Sequence, residues 1–296
     1  MSAPVAERAT PADAAGPPLL SLQGISKNFG AVAALTDIDL DVRAGEVVAI
    51  VGDNGAGKST LVKVLAGVHP ATQGRVLVDG EEVTLGSPVA AQRLGIATVF
   101  QDLALCENLD VTANLFLGHE IRPFALDDVA MEVRSWELLK ELSARLPQLT
   151  LPVASLSGGQ RQTVAIARSL LGDPRVIVLD EPTAALGVAQ TAEVLNLVER
   201  LRERGLGVVM ISHNMEDVRA VADRVAVLRL GRNNGEFDAQ AASSEEIVAA
   251  ITGASDNVVS RRSARRSAAA GDATGTPGAT GAADAAPTLE KKEEEH

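Results

Sequence analysis

The sequence predicts an α/β fold with a mostly parallel central sheet. Short, almost wholly apolar runs recur along the 296 residues, and such runs are typical of strands buried on both faces of a parallel sheet. Stretches with the apolar spacing of helices separate them. The clearest runs cover 47–51, 96–100, 175–181 and 207–212. With 46% hydrophobic residues, the chain can bury a sizeable core in one or two domains.

Charge and composition exclude several classes of protein. The net charge of −12 argues against sequence-independent nucleic-acid binding, which needs a clustered basic surface, so we expect no nucleic-acid partner. The single cysteine, Cys106, cannot form a disulfide within the chain and is expected to be a packing residue. No apolar run approaches the roughly 20 residues that span a bilayer. Residues 1–18 lack the apolar core of a signal peptide, so we expect a loose leader and a chain that stays in the cytoplasm.

A glycine-rich turn follows the apolar run 47–51 and leads into a helical stretch that starts near Lys58. It has the G-x-x-x-x-G-K-[ST] pattern of a phosphate-binding P-loop. The glycines let backbone N–H groups crowd a triphosphate, the helix dipole favours negative charge, and Lys58 can reach the β- and γ-phosphates. The Ser59 hydroxyl is placed to bind Mg²⁺. The predicted nucleotide-binding residues here are Gly52, Asp53, Asn54, Gly55, Ala56, Gly57, Lys58, Ser59 and Thr60.

Two strands are predicted before this turn, at 19–22 and 35–42, because their apolar residues follow the pattern of strands with one buried face. Phe29 lies between them. In a chain without tyrosine its ring is a candidate platform for an adenine ring, and ordinary packing explains it equally well.

A hairpin at 74–85 and a short helix at 88–95 are predicted next, before the strand that ends at Gln101. Residues 102–156 then have helical character and form a helical insertion. Its apolar stripe is expected to contain Trp136 as a core residue, together with Val133, Leu139, Leu142 and Leu146.

A second glycine-rich helix start follows the insertion, at Ser157, Gly158, Gly159 and Gln160. We call these four residues the signature turn. A hydroxyl and open backbone N–H groups at a helix N-terminus favour anion binding, so this turn is a second candidate phosphate contact.

Polar groups end the next two buried strands. Asp180 and Glu181 close the run 175–181, and His213 follows the run 207–212. Parallel sheets place chemistry at such strand ends. Asp180 can hold Mg²⁺, and Glu181 can orient or deprotonate a water. Two acids after a strand are also common in solvated turns. An isolated histidine at such a position is commonly a capping or surface residue.

The remaining chain is predicted to contain helices at 188–203 and 215–222 and a last strand at 224–230. From residue 253 on, small and polar residues dominate. The segment 253–296 is therefore expected to be a disordered, solvated tail, although its four arginines at 261, 262, 265 and 266 could touch anionic lipid.

Over residues 19–252 the chain resembles the ATP-binding subunits of ABC transporters. The resemblance rests on the P-loop, on Gln101 after a strand, on the helical insertion, on the signature turn after Leu156, and on the Asp180, Glu181 and His213 strand ends. It implies roles for Phe29 in adenine stacking, for Glu181 as the catalytic base and for His213 as a γ-phosphate sensor. Gln101 is implied as a catalytic residue and as the coupling point between the core and the insertion. The implied Mg²⁺ ligands are Ser59, Gln101 and Asp180.

The closest class by resemblance is monosaccharide import, because Asp53 and Asn54 in the P-loop and the segment 181–187 look like those subunits. The chain has one P-loop and one signature turn, as in the single-cassette variety. It departs from most ABC ATPases at Gly187, where they carry aspartate, which puts that loop's cross-dimer contact in doubt.

The resemblance further implies a P-loop NTPase core, an antiparallel β subdomain, and a head-to-tail dimer in which the signature turn of one chain faces the γ-phosphate held by the other. The implied partners are transmembrane permease subunits, a second copy of the chain and, indirectly, an extracytoplasmic sugar-binding protein, at the cytoplasmic face of the membrane. The implied cofactors are ATP and Mg²⁺. Transport of an amino acid or lipid, and a non-transport ABC ATPase, are the alternatives.

Overall fold

The computed structural model describes residues 17–121, 127–144 and 146–254. The predicted leader, 1–18, and the predicted tail, 253–296 with its four arginines, lie outside these ranges except for residues 17, 18, 253 and 254. The strands are β1 (Leu20–Phe29), β2 (Val32–Val42), β3 (Val47–Val51), β4 (Gln73–Val78), β5 (Glu81–Val83), β6 (Ile96–Val99), β7 (Val176–Asp180), β8 (Gly207–Ile211), β9 (Arg224–Arg229) and β10 (Arg232–Asp238). The helices are α1 (Lys58–Leu65), α2 (Pro88–Arg93), α3 (Val111–Phe116), α4 (Asp128–Glu141), α5 (Gly158–Ser169), α6 (Val188–Glu203), α7 (Met215–Val221) and α8 (Ser244–Thr252).

The larger sheet has six strands in the order β10-β9-β3-β8-β7-β6. Five of these strands, β9, β3, β8, β7 and β6, run parallel to one another. Strand β10 pairs antiparallel with β9 at one edge. All five residues of β3 and of β8 are buried, as expected for strands covered on both faces. The predicted α/β fold is confirmed.

The smaller sheet is antiparallel, in the order β2-β1-β4-β5, and forms the expected β subdomain. Strand β3 separates two hydrophobic cores because successive side chains point to opposite faces. Val47, Ala49 and Val51 pack with the helical side of the molecule. Val48 and Ile50 pack with the small sheet and α1, so the P-loop strand is held from both sides.

The described residues of the insertion include the α-helices α3 and α4, and the buried face of α4 differs from the predicted stripe. Met131, Ser135, Leu138 and Leu139 are buried, whereas Val133 is exposed and Trp136 is 46% exposed. The expectation that Trp136 is a core residue is therefore wrong. The buried serine hides the true stripe: its hydroxyl donates to the Met131 carbonyl at 2.8 Å, which satisfies a polar group inside the core.

The C-terminal part also differs from the prediction, which ended the strands at 230. After a two-residue turn at Leu230 and Gly231 the chain returns as β10, and α8 follows. Strand β10 contains one large apolar residue, Phe237, so its sequence gives little indication of a strand. Helix α8 begins with a capping box between Ser243 and Glu246, a sequence signal that the prediction did not use. Among the described residues, no helix is long and apolar enough to cross a membrane.

Candidate nucleotide site

The candidate site lies at the carboxyl edge of the parallel sheet. Strand β3 ends at the P-loop, β6 before Gln101, β7 at Asp180 and β8 before His213. Because these strands run parallel, residues far apart in the chain meet at one edge. The structure therefore places Gln101, Asp180 and Glu181 in one cleft with the P-loop, and His213 beside Glu181.

Two glycines of the P-loop occupy positions that other residues could not. A Cβ at Gly52 would lie 2.2 Å from the carbonyl oxygen of Leu228, and one at Gly57, where φ is 105°, would lie 2.8 Å from the Leu35 side chain. The nearest atom is backbone at Gly52 and a side-chain methyl at Gly57, where the Ala34 carbonyl oxygen follows at 3.0 Å. Gly57 is also the N-cap of α1 and provides no side-chain cap, which leaves the first turn of the helix open to a ligand.

The Lys58 ammonium group is held by its own loop. Its Nζ donates to the carbonyl oxygens of Gly52 at 2.6 Å and Asp53 at 3.0 Å. These bonds curl the side chain back over the turn, at the place where a phosphate group would attract it.

A cleft of about 540 Å³ opens over the P-loop, within the usual size range of ligand sites. It brings together ten of the predicted residues: Asn54, Gly55, Ala56, Gly57, Lys58, Ser59, Thr60, Gln101, Asp180 and Glu181. Six further lining residues were not predicted: Val32, Ala33, Ala34, Ile211, Leu230 and Gly231. The turn after β9 is among them because that strand also runs parallel to β3, and an apolar residue at a strand end gives little signal in the sequence.

Asp180 is half-buried and lines the cleft. Burial, followed by the charge of the neighbouring Glu181, raises the pKa of the Asp180 carboxyl, while Lys58 and Lys63 oppose the shift. A carboxylate held in this way gains from a nearby cation. Ser59, Gln101 and Asp180 all offer oxygen atoms to the same cleft, and oxygen donors are the ligands that Mg²⁺ prefers.

Glu181 adopts a left-handed backbone conformation, with φ at 51°. Its N–H donates to the Ile211 carbonyl at 3.0 Å, which ties the turn after β7 to β8. The carboxylate Oε2 lies 2.7 Å from Nδ1 of His213. The two predicted groups therefore form a direct pair, with the histidine exposed and the carboxylate mostly buried.

Gln101 lies between two clefts. Its side chain lines the P-loop cleft, whereas its neighbours Phe100 and Asp102 line a second cleft of about 300 Å³ between β6 and α5. We call this second cleft the α5 cleft. Three consecutive residues of one loop therefore border the two clefts.

Phe29 ends β1 opposite Val32 of β2. Its ring packs edge-on against His69, with the ring centroids 5.2 Å apart, and the Lys27 ammonium lies 5.1 Å from the ring centroid. Phe29 itself is not among the residues that line the P-loop cleft.

The signature turn does not line the P-loop cleft of its own chain. Ser157 is the N-cap of α5, and it forms a capping box in which its N–H donates to Gln160 Oε1 at 2.9 Å and its hydroxyl accepts from the Gln160 N–H at 3.3 Å. Gly158 and Gly159 allow the turn to lie close to Leu186, which precedes α6, and to Gln190 in the first turn of α6. Added Cβ atoms would lie 2.8 Å from Leu186 and 3.1 Å from Gln190.

The sequence matches the ABC transporter family over residues 35–184. It is 42% identical over 235 residues to the xylose/arabinose import ATP-binding protein XylG of Sulfolobus acidocaldarius, covering 79% of this chain and 94% of that protein. The chain belongs to the ABC transporter ATP-binding family. The family resemblance and the ATPase class predicted from the sequence are thereby confirmed.

Other relatives of this ABC cassette carry similar names. The fructose import ATP-binding protein FrcA of Rhizobium meliloti is 41% identical over 248 residues, covering 81% of this chain and 95% of that protein. The ribose import ATP-binding protein RbsA 1 of Rubrobacter xylanophilus is 42% identical over 239 residues, and the chain spans only 48% of its length.

Solved structures give the same fold. The ADP conformation of an ABC transporter cassette superposes with a TM-score of 0.69 at 28% identity, covering 83% of this chain and 98% of that one. A dimeric bacterial ABC transporter cassette superposes with a TM-score of 0.65 at 27% identity, covering 75% of this chain and 100% of that one.

Proposed function

We propose that this chain is the ATP-hydrolysing subunit of a transporter that imports a monosaccharide. The observation that carries the proposal is the P-loop cleft, which combines Lys58 with oxygen donors at the ends of β6 and β7, among them Glu181, whose carboxylate is paired with His213. The sugar class is supported by relatives named for the import of xylose and arabinose, fructose, and ribose.

Binding of ATP in this cleft follows from its charge and backbone groups. The open N-terminus of α1 and Lys58 neutralise the phosphates, and Ser59, Gln101 and Asp180 are proposed to hold Mg²⁺. When bound, Mg²⁺ neutralises charge that develops on the phosphate oxygens. Phe29, beside the cleft at the end of β1, is proposed to stack on the adenine.

Hydrolysis needs a water that is oriented towards the γ-phosphate. Glu181 is proposed to align that water, and His213 holds the carboxylate at 2.7 Å in one orientation and is proposed to sense the γ-phosphate. The composite site is completed by the signature turn of a second copy, since in its own chain this turn lies away from the cleft. A solved ABC transporter cassette described as dimeric supports the pairing of two cassettes.

Coupling to transport is proposed to run through Gln101. Its loop borders both the P-loop cleft and the α5 cleft, and the α5 cleft is where we expect a transmembrane permease subunit to dock. The chain would then lie at the cytoplasmic face of the membrane, with an extracytoplasmic sugar-binding protein acting on the permease from the other side.

Isolation of the native membrane complex tests this function. Reconstituted in vesicles, the complex should take up labelled monosaccharides only with ATP and Mg²⁺. Uptake of an amino acid or a lipid instead would assign the chain to another transporter class. Co-isolation with ribosomes or DNA, without a permease, would contradict a transport role altogether.

A further inference from the structure

An apolar rim borders the P-loop cleft. Leu230 is 75% exposed and Val32 is 66% exposed, although both line the cleft. Phe29 is the register partner of Val32 in the β1–β2 hairpin, and directly opposed residues of an antiparallel pair project from the same face. Phosphate-binding groups give no reason for such a rim, since phosphates require N–H donors and positive charge.

The backbone at Leu230 is unfavourable for leucine. Leu230 has φ of 48° and Gly231 has φ of 73°, and together they form the two-residue connection between β9 and β10. Positive φ at both positions is the geometry of a type I′ turn, which prefers asparagine or aspartate followed by glycine. The β4–β5 hairpin of this chain has that preferred pair, with Asp79 at φ 53° and Gly80 at φ 81°.

Leucine at this position therefore costs folding free energy that its side chain does not recover. The left-handed conformation strains a γ-branched residue, and a mostly exposed side chain regains little by burial. Strain of this kind is commonly found where a residue serves a ligand. The contrast with Asp79 shows that the same turn geometry is built elsewhere in the chain without this cost.

The turn is fixed relative to the P-loop. The Gly231 N–H donates to the carbonyl oxygen of Ala56 at 3.0 Å, and the Gly231 carbonyl accepts from the Thr36 N–H at 2.7 Å. Leu230 is thus held at a set position between the phosphate-binding turn and strand β2. Leu230 and Lys58 line the same cleft.

We infer that Leu230 is a nucleotide-binding residue whose side chain, together with Val32, forms an apolar seat for the base. The inference rests on the proposed binding of a nucleotide by the P-loop. A nucleoside triphosphate has a charged end, which suits Lys58, and a planar base with apolar faces, which suits this rim. Leu230 and Val32 line the cleft, whereas Phe29, the register partner of Val32, lies beside it.

Calorimetric titration of the full-length chain with ATP and with tripolyphosphate, both with Mg²⁺, tests the inference. Leu230→Asn removes the apolar group and supplies the residue that the turn prefers. We expect ATP affinity to fall by about three- to tenfold, the effect of losing part of a leucine contact, with tripolyphosphate affinity unchanged. The thermal midpoint should stay at or above that of the wild type.

Leu230→Met should keep ATP affinity near the wild-type value because it retains an apolar side chain. Val129→Asn is the matched control, since Val129 is an exposed apolar residue of α4 that does not line the cleft, and its ATP affinity should not change. Unchanged ATP affinity in Leu230→Asn would overturn the inference, and so would an equal loss for ATP and tripolyphosphate. A wild-type chain that binds neither compound would instead refute the nucleotide site itself.

Discussion

Two helices of this cassette begin at glycine-rich turns, α1 after Gly57 and α5 after Ser157, and their first turns are satisfied differently. Gly57 provides no side-chain cap, and the Lys58 ammonium bonds to carbonyls of the preceding loop. Ser157 and Gln160 cap each other's N–H groups. The start of α1 is thus open towards a cleft in its own chain, whereas the start of α5 is partly satisfied and lies away from that cleft.

We propose from this difference that a similar local sequence serves two surfaces. Helix α1 presents N–H groups to a ligand within the chain. Helix α5 keeps its turn rigid through the capping box, which suits a contact with a separate body. The two starts are therefore expected to respond differently to substitution: changes around α1 should affect nucleotide binding, and changes at the start of α5 should affect dimerisation and turnover.

The largest effect is expected from Glu181→Gln, which leaves both helix starts unchanged. The amide can still accept a hydrogen bond from His213 but cannot align or deprotonate water, so turnover should fall by about 10²- to 10⁴-fold while ATP affinity stays near wild type. Steady-state ATPase assays and equilibrium binding measure the two quantities. Near-normal turnover would remove Glu181 from the catalytic role.

Ser157→Arg tests the outward-facing role of α5. If the signature turn meets the γ-phosphate of a second copy, a bulky cation there should reduce turnover by about a hundredfold or more and prevent ATP-driven dimerisation, with monomer ATP affinity retained. Ser157→Asn is the control, because asparagine is also a good N-cap, so helix stability should be kept.

Mixing Ser157→Arg with Lys58→Ala chains extends this test. A mixed dimer contains one site with both lesions and one with an intact P-loop and an intact signature turn. Partial recovery of ATPase activity is expected if one competent site suffices. Ordinary hydrolysis by Ser157→Arg alone, with its permease present, would refute the two-chain site.

Asp180→Asn tests how the charge of Asp180, in the cleft next to α1, affects stability. Burial raises the pKa of the Asp180 carboxyl in the folded chain, so the ionised form costs stability above that raised pKa and costs nothing below the ordinary aspartate range. The substitution should therefore raise the thermal midpoint of the nucleotide-free protein at neutral pH. The gain should vanish in acid, where Asp180 is protonated.

The same variant, although expected to be more stable, should bind ATP with Mg²⁺ more weakly. Loss of the proposed Mg²⁺ ligand should weaken the Mg²⁺-dependent part of ATP affinity, as measured by titration with and without the metal. A stabilised variant with full Mg²⁺ dependence would show that Asp180 is not a metal ligand.

The smallest effect is expected from Gln160→Ala, which removes one half of the capping box. The Ser157 N–H loses its partner at 2.9 Å, and stability should fall by about 0.5–1 kcal/mol, measured by urea unfolding. Monomer ATP affinity should not change. A change in that affinity would mean that the two helix starts communicate within one chain.

The sequence by itself determined the parts whose chemistry is local. The P-loop could be predicted because its donors are backbone groups of consecutive residues and its glycines are required by close backbone contacts, as at Gly52 and Gly57. The apolar runs likewise predicted the parallel sheet, and parallel strands necessarily bring Gln101, Asp180 and His213 to one edge.

Only the tertiary structure decided which surfaces are buried and which face the ligand. Val133 and Trp136 were expected in the core, but α4 buries the face with Ser135, whose hydroxyl can be buried because it bonds within its own helix. Leu230 lines the cleft because β9 and its turn are fixed against the P-loop by long-range backbone bonds. These outcomes depend on packing between segments distant in the chain, which the pattern within any one segment does not contain.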